Sequence, residues 1–141
     1  LTEARRAVDI GGRDVAARVV GGSTYLVAPG RPPARRARSA HLLPAYDEYT
    51  VAYRDRSTFL DPARAASVGN GIFSPVVVID GRIAGTWRRQ TKRGRVLVSA
   101  ELFLRPNESE ERALDAASRR YGEFLGLPVS FDVGVKDGSR R

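Results

Sequence analysis

The stretch PVVVIDGRIAGTWRRQTKRGRVLVSAELFL, residues 75–104, contains the strongest fold signal in the chain. Residues 76–79 and 83–87 are two β-rich runs, and Asp80-Gly81 between them is the dipeptide that a tight type I′ turn favours. Residues 95–104 follow as a third run, in which every second residue is apolar. This pattern predicts an antiparallel three-stranded meander with one buried face.

A long amphipathic helix is predicted after the meander. Asn107 can cap its first turn, and the acidic residues that follow it favour the positive end of the helix dipole. Apolar residues then recur at helical spacing, namely Leu114, Ala117, Tyr121 and Phe124 or Leu125. Gly126 and Pro128 end the helix, and residues 129–133 are predicted to form a last strand.

Two shorter helices are predicted upstream of the meander. The first covers residues 46–53, and we interpret its aromatic stripe as core in preference to a base-stacking surface: Tyr46, Tyr49 and Tyr53. The second begins at Asp61 and Pro62 and ends at the glycines of residues 69–71. Together the elements predict an α+β domain over residues 41–135, with a small antiparallel barrel-like sheet and a long C-terminal helix over one end.

The residues before and after this domain predict three further regions. Residues 1–28 contain a short helix and a two-stranded wing around a Gly-Gly turn, the order found in the tail of a winged-helix unit. Residues 29–40 are rich in proline and arginine and lack apolar periodicity, so we expect a basic linker. Residues 136–141 are expected to be a disordered tail. Because the chain starts at Leu1 and contains no methionine, we expect it to be part of a longer polypeptide.

The charge balance favours a polyanionic partner. Lysine and arginine number 24 against 16 acidic residues, which gives a net charge of +8. Most of the cations are arginines, whose planar guanidinium binds phosphate through two donors; the alternative is that they are ordinary surface charge. Cysteine is absent, and no apolar run is long enough to cross a bilayer. We therefore expect a cytoplasmic, nucleoid-associated protein with no membrane partner.

Basic residues gather in two places that we predict to contact double-stranded DNA. One is the hairpin whose turn we place at residues 90–94, with Arg88, Arg89, Lys92, Arg93 and Arg95. The other is the linker arm, with Arg35, Arg36 and Arg38. Strand alternation sends Trp87 and Arg89 to one side and Arg88 to the other. We interpret Trp87 as core in preference to a cation–π partner, and the hairpin cations as phosphate contacts in preference to solvated charge.

No residue pattern in the chain predicts catalysis. His41 is the single histidine, and its apolar neighbours favour a packed side chain. Asp47 and Glu48 are adjacent, so a helix points them to different sides, and nearby Arg54 and Arg56 favour a structural ion network. Motifs for phosphate loops, activated nucleophiles and zinc ligands are missing, so we expect no cofactor and no metal site. A site that combines His41 with Asp47 or Glu48 is the least favoured hypothesis.

Three blocks of the sequence resemble a known family. LLPAYDEYTVAYRDRS, GNGIFSPVVVIDGRIAGTWRR and FLGLPVSF are similar to the C-terminal region of winged helix DNA-binding domain-containing proteins, the superfamily that includes the AlkZ-like (YcaQ-like) DNA glycosylases. The residues that match the family pattern are Asp47, Glu48, Tyr49, Arg54, Asp55, Arg56, Asn70, Gly71, Asp80, Gly81, Gly85 and Trp87. The resemblance assigns them no individual role beyond the fold and DNA contact.

The resemblance implies tandem winged helices followed by a barrel-like domain, wrapped around duplex DNA. It also implies a catalytic glutamine motif, Gln-x-Gln, in the glycosylases, but Gln90 is the only glutamine here, so no catalytic residue can be transferred. Our favoured hypothesis is a non-catalytic, DNA-associated C-terminal module whose partners are DNA and the upstream winged-helix domains. Whether the longer protein is a glycosylase stays open. The alternative is a structural or interaction domain without nucleic-acid contact.

Overall fold

The computed structural model describes residues 2–12, 15–20, 22–30, 38–71 and 73–136. The chain divides into two units, Leu1–Arg36 and Ala37–Arg141, called unit 1 and unit 2 below. Three sequence predictions lie wholly or largely outside the described residues: the linker arm with Arg35 and Arg36, the Gly-Gly turn at residue 21, and the tail from residue 137 onward.

Unit 1 consists of a helix and a hairpin, as predicted. Helix α1 covers Thr2–Gly11, and strands β1 (Ala16–Val20) and β2 (Ser23–Val27) pair antiparallel. Large apolar side chains of this unit are exposed, including Ile10, Val19 and Leu26. The described part of unit 1 thus buries little apolar surface, and its membership of a winged-helix unit stays a prediction.

Unit 2 is built on five strands. They are β3 (Ala40–Leu43), β4 (Val76–Ile79), β5 (Arg82–Lys92), β6 (Arg95–Leu102) and β7 (Val129–Val135). The strands lie side by side in the order β3-β4-β5-β6-β7. The first three pairings are antiparallel, which confirms the meander, whereas β6 and β7 are parallel.

The prediction of a wholly antiparallel sheet is therefore wrong at its last strand. Helix α3 (Glu108–Leu125) connects β6 to β7 and spans about 27 Å, enough to return the chain to the starting end of β6. A strand that follows such a crossover runs parallel to the strand before it. The sheet is also open in the described residues, with β3 and β7 as its edges, so the predicted barrel-like curl is not confirmed.

Both hairpins of the meander close through two-residue turns. Asp80 and Gly81 have φ angles of 47° and 77°, as a type I′ turn requires, and Ile79 pairs with Arg82. Arg93 and Gly94 repeat this geometry with φ angles of 50° and 74°. The predicted turn at residues 90–94 is thus too long, because β5 continues to Lys92.

Helix α3 covers one face of the sheet. A capping box at Asn107 and Glu110 starts the helix, and Gly126 ends it in the left-handed conformation, as predicted. Leu114 and Ala117 are buried against alternate residues of the meander, Val96, Val98, Ala100 and Leu102. Leu104, which we assigned to the same face, lies beyond β6 and is exposed.

A second apolar cluster covers part of the opposite face. A 3-10 helix, Pro62–Gly71, begins beside Asp61, whose carboxylate accepts the Ala63 N–H. Phe59, Leu60 and Val68 pack on the other face of β4, on Val76 and Val78. The predicted helix at residues 46–53 is one turn, α2 (Glu48–Val51), and only Tyr49 of its aromatic stripe joins this core. Tyr46 and Tyr53 are exposed.

Gly85 lies where β5 leaves little room beside the main chain of β6. A Cβ atom built on Gly85 would stand 2.2 Å from the Glu101 carbonyl oxygen and 2.8 Å from Leu102 Cα. These are main-chain atoms of a paired strand, so they cannot rotate away as a flexible side chain would.

We therefore expect Gly85→Ala to lower the free energy of unfolding by about 2–3 kcal/mol. Gly134→Ala in β7 is the matched control, because its new Cβ would lie 3.9 Å from the nearest atom, the Ala100 carbonyl oxygen. Urea unfolding of both variants measures the difference. Equal stabilities would contradict the close approach of β5 and β6.

Candidate nucleic-acid interface

The β5–β6 hairpin projects beyond the neighbouring strand. Pairing between β4 and β5 begins at Val76 and Thr86, and Trp87 then donates its main-chain N–H to the Pro75 carbonyl oxygen at 3.1 Å. Residues 88–92 pair with β6 alone and are all exposed. The predicted basic hairpin thus has a β5 edge that no described strand pairs with over residues 88–92, whereas β6 is paired on its other side with β7 from Val96 onward.

The strand pleat divides the predicted basic residues between two faces. Arg88 is paired with Ser99, and Lys92 with Arg95, so Arg88, Lys92 and Arg95 lie on one face, which we call the open face. Arg89 lies on the α3 side together with Trp87, as the alternation predicted. Arg93 occupies the turn.

Arg89 is exposed, but its side chain is anchored to an aromatic cluster on the α3 side. Its guanidinium donates to the Tyr121 hydroxyl, and its Cζ lies 5.8 Å from the centre of the Tyr121 ring. Trp87 packs edge-on against the same ring at 5.2 Å and donates its indole N–H to the Leu43 carbonyl oxygen at 2.8 Å. Trp87 is 9% exposed, which confirms it as core. A cation–π contact of Arg89 therefore exists, but its ring is that of Tyr121, and no pattern in the sequence indicated this pairing.

The remaining cations of unit 2 divide into paired and unpaired groups. Ion pairs hold Arg38, Arg64, Arg112 and Arg119. Main-chain carbonyls accept from Arg56, Arg82, Arg120 and Lys136. Six side chains have no bond or ring contact with another described residue, namely Arg54, Arg88, Lys92, Arg93, Arg95 and Arg105. Since four of these six belong to the hairpin, unpaired positive charge is concentrated there.

Arg38 is the one predicted arm residue that the structure describes, and it is engaged within unit 2. Its guanidinium lies 2.6 Å from Asp80 and 3.4 Å from Glu110, so it joins the first hairpin turn to the start of α3. The Ser39 N–H also donates to Asp80 at 2.9 Å. These hydrogen bonds, first that from Ser39 and then that from Arg38, hold the pKa of Asp80 below its ordinary value, although desolvation acts in the opposite direction.

The least favoured catalytic grouping does not assemble. His41 is exposed on β3, so the prediction that it is packed is wrong. It lines a hollow of about 360 Å³ with Tyr49, Val78 and Gly81 but with no carboxylate. Asp47 instead caps α2 by accepting the Tyr49 N–H, and Arg56 bonds to the Thr50 carbonyl oxygen rather than to an acid.

Other kinds of site find little support in the described ranges. They contain no cluster of three or more histidine, cysteine and acidic residues that could hold a metal ion. A hollow of about 380 Å³ that the sequence did not predict is lined by apolar residues such as Ile83 and Phe103 and by charged residues that include the ion pair of Arg38 and Asp80. Among the described helices, none is long and apolar enough to cross a membrane.

The geometry defines unit 2 as an α+β module with one crossing helix and a projecting cationic hairpin. Residues 1–124 match the family described as DNA glycosylase AlkZ-like, and the chain belongs to this family. A search of curated proteins found no match.

A solved structure has a similar fold. The DNA glycosylase AlkZ of Streptomyces sahachiroi superposes with a TM-score of 0.62 at 21% sequence identity. The match covers 92% of this chain and 37% of that protein, so the chain spans little more than a third of its length.

The Asp80 contacts predict a pH-dependent contribution to stability. Since the folded pKa is lowered, Asp80 stabilises unit 2 above its unfolded pKa, about 3.9, and this contribution disappears as the pH falls through the folded pKa. Asp80→Asn keeps the turn preference and removes the charge. We expect this substitution to lower the free energy of unfolding by about 0.5 kcal/mol at neutral pH and to leave it unchanged at about pH 2.

Urea unfolding at the two pH values measures this effect. Asp132→Asn is the control, because the exposed Asp132 side chain bonds to no other described residue. A difference between Asp80→Asn and the parent that persists unchanged in acid would contradict the role of the ionised carboxylate.

Proposed function

We propose that the chain is a non-catalytic, DNA-contacting C-terminal module of an AlkZ-like DNA-repair protein, and that it holds duplex phosphates through the β5–β6 hairpin. The observation behind the proposal is the concentration of unpaired cations on this hairpin: Arg88, Lys92, Arg93 and Arg95. Cations that are paired within a fold are already neutralised, whereas these four remain available to phosphate. Only the turn end of the hairpin, residues 92–95, extends beyond the pairing of β6 with β7, and this narrow end can approach a phosphate backbone.

The family supports a DNA substrate for the longer protein. AlkZ, the solved relative, is named as a DNA glycosylase, and this chain corresponds to a part of it. The glutamine motif implied by the resemblance has no counterpart among these residues, so catalysis belongs to other parts of such a protein. The prediction from the sequence that Arg35 and Arg36 also contact DNA is part of this proposal, and both residues lie outside the described ranges.

Unit 1 fits the proposed role as the tail of a winged-helix unit. Val19, Val20 and Leu26 on its hairpin and Ile10 on α1 are 54–79% exposed. Apolar side chains in such numbers normally pack against further elements, and the remaining helices of a winged-helix unit would cover them. The upstream winged-helix domains are therefore the proposed intramolecular partners.

Neutralising the hairpin should remove most of the DNA affinity. The hairpin variant combines Arg88→Gln, Lys92→Gln, Arg93→Asn and Arg95→Gln, where asparagine suits the positive φ angle of residue 93. Each lost phosphate contact lowers the slope of log K against log salt by about 0.9, so we expect a decrease of roughly 3–4. Fluorescence anisotropy with a labelled duplex at several salt concentrations measures the slope.

The control variant has the same change in net charge at other sites. It combines Arg54→Gln, Arg105→Gln, Arg112→Gln and Arg119→Gln, all outside the hairpin. We expect it to bind DNA with nearly the parent slope. If both variants bind equally, or if the parent chain ignores duplex DNA in dilute buffer, the module has the alternative role of a structural or interaction domain.

Adjacent residues on opposite faces provide a finer test. Arg88→Gln should weaken binding and lower the salt slope by about 0.9, because the Arg88 side chain lies on the open face and bonds to no other described residue. Arg89→Gln should leave the slope unchanged and lower thermal stability, because Arg89 is bonded to Tyr121. Equal slopes for the two variants would show that the open face is not the DNA-facing side.

A further inference from the structure

Beyond Trp87, β5 pairs with no described strand on the side opposite β6, so this segment is a sheet edge within the described part of the chain. Trp87 donates its main-chain N–H to Pro75, which precedes β4, so this group points away from β6. Main-chain groups along a strand alternate in direction with a period of two. The N–H groups of Arg89 and Thr91 therefore point to the same side as that of Trp87, where β4 no longer runs.

The hairpin register gives the same result independently. Lys92 and Arg95 flank the two-residue turn and form its closing hydrogen-bonded pair. Hydrogen-bonded pairs then recur at every second residue, at Gln90 and Arg88. Arg89 and Thr91 fall between these pairs, so their main-chain N–H groups do not bond to β6. No other described residue accepts a hydrogen bond from either N–H group.

We infer that the main-chain N–H groups of Arg89 and Thr91 donate hydrogen bonds to phosphodiester oxygens of a DNA strand that lies along this edge. The inference rests on the proposed function, since it adds uncharged donors to the cationic hairpin. Main-chain N–H groups are common phosphate donors in protein–DNA complexes. Three cations whose side chains bond to no other described residue lie within two residues of the two donors, namely Arg88, Lys92 and Arg93. Their positive charge attracts phosphate to this edge.

An open edge can also pair with another β-strand, but the charges on this one favour phosphate. Lysine and arginine along an edge disfavour strand addition, because a paired strand would have to accommodate them beside its own side chains. A DNA backbone offers acceptors without donors and neutralises the same cations. The occupant that fits both the N–H groups and the charge is therefore a polyanionic strand.

Thr91→Pro in the 141-residue chain tests the inference, because it removes the N–H without changing the charge. Proline is tolerated on an edge strand where the N–H faces solvent. We expect roughly tenfold weaker binding to the labelled duplex with an unchanged salt slope, as for the loss of one charge-assisted hydrogen bond. Thr91→Val keeps the N–H, removes the hydroxyl and should bind like the parent.

A second measurement avoids the altered backbone of proline. Replacing the Thr91 amide with an ester removes the same N–H, and amide spectra of the ¹⁵N-labelled parent report the donors directly. On addition of duplex we expect larger shifts for the Arg89 and Thr91 amide protons than for that of Gln90, which is bonded to β6.

The outcomes separate the two proposals. If the hairpin variant loses binding while the Thr91→Pro and ester forms bind like the parent, the edge inference is overturned and the proposed function stands. If the parent self-associates and Thr91→Pro abolishes the association, the edge is a strand-pairing surface and the inference is again overturned. A parent chain that ignores the duplex overturns both.

Discussion

The packing of α3 across one face of the sheet is the constraint on which the rest of unit 2 depends. The helix buries Leu114 and Ala117 against the meander, and its length makes β7 parallel to β6. It also brings Tyr121 to the place where β5 leaves its neighbour β4, so that Trp87 and Arg89 are held from the same side. On the opposite face of the hairpin, the side chains of Arg88, Gln90 and Lys92 are exposed.

The same packing separates cations that are adjacent in sequence. Arg89 lies on the helix side and is bonded to Tyr121, whereas Arg88 points to the open face and has no described partner. Arg38, predicted as part of a DNA-binding arm, joins Asp80 to Glu110 instead. Positive charge in this chain therefore has two uses, since some arginines connect elements of the fold and others remain available to a polyanion. Net charge alone does not distinguish them.

Much of unit 2 could be predicted because its signals are local. Asp80-Gly81, the alternation of residues 95–102 and the cap at Asn107 each depend on neighbours in sequence, and each prediction is confirmed. The direction of β7 was predicted wrongly. A helix as long as α3 returns the chain to the starting end of β6, so the length of the predicted helix already indicated a parallel strand after it. The partners of Arg38 and Arg89 could not be predicted, because they lie 42 and 32 residues away in sequence and meet only through tertiary packing.

The open edge of β5 explains why cations are needed at this hairpin even in the free protein. A sheet edge with unpaired N–H and carbonyl groups is a template for pairing with other chains, and an apolar edge of this kind is an aggregation hazard. Arg88, Lys92 and Arg95 oppose such pairing by mutual repulsion between copies. The charges that keep the edge unpaired in solution are the same charges that attract a phosphate backbone. Protection of the edge and DNA contact thus require the same residues, so loss of these cations would expose the edge and weaken binding together.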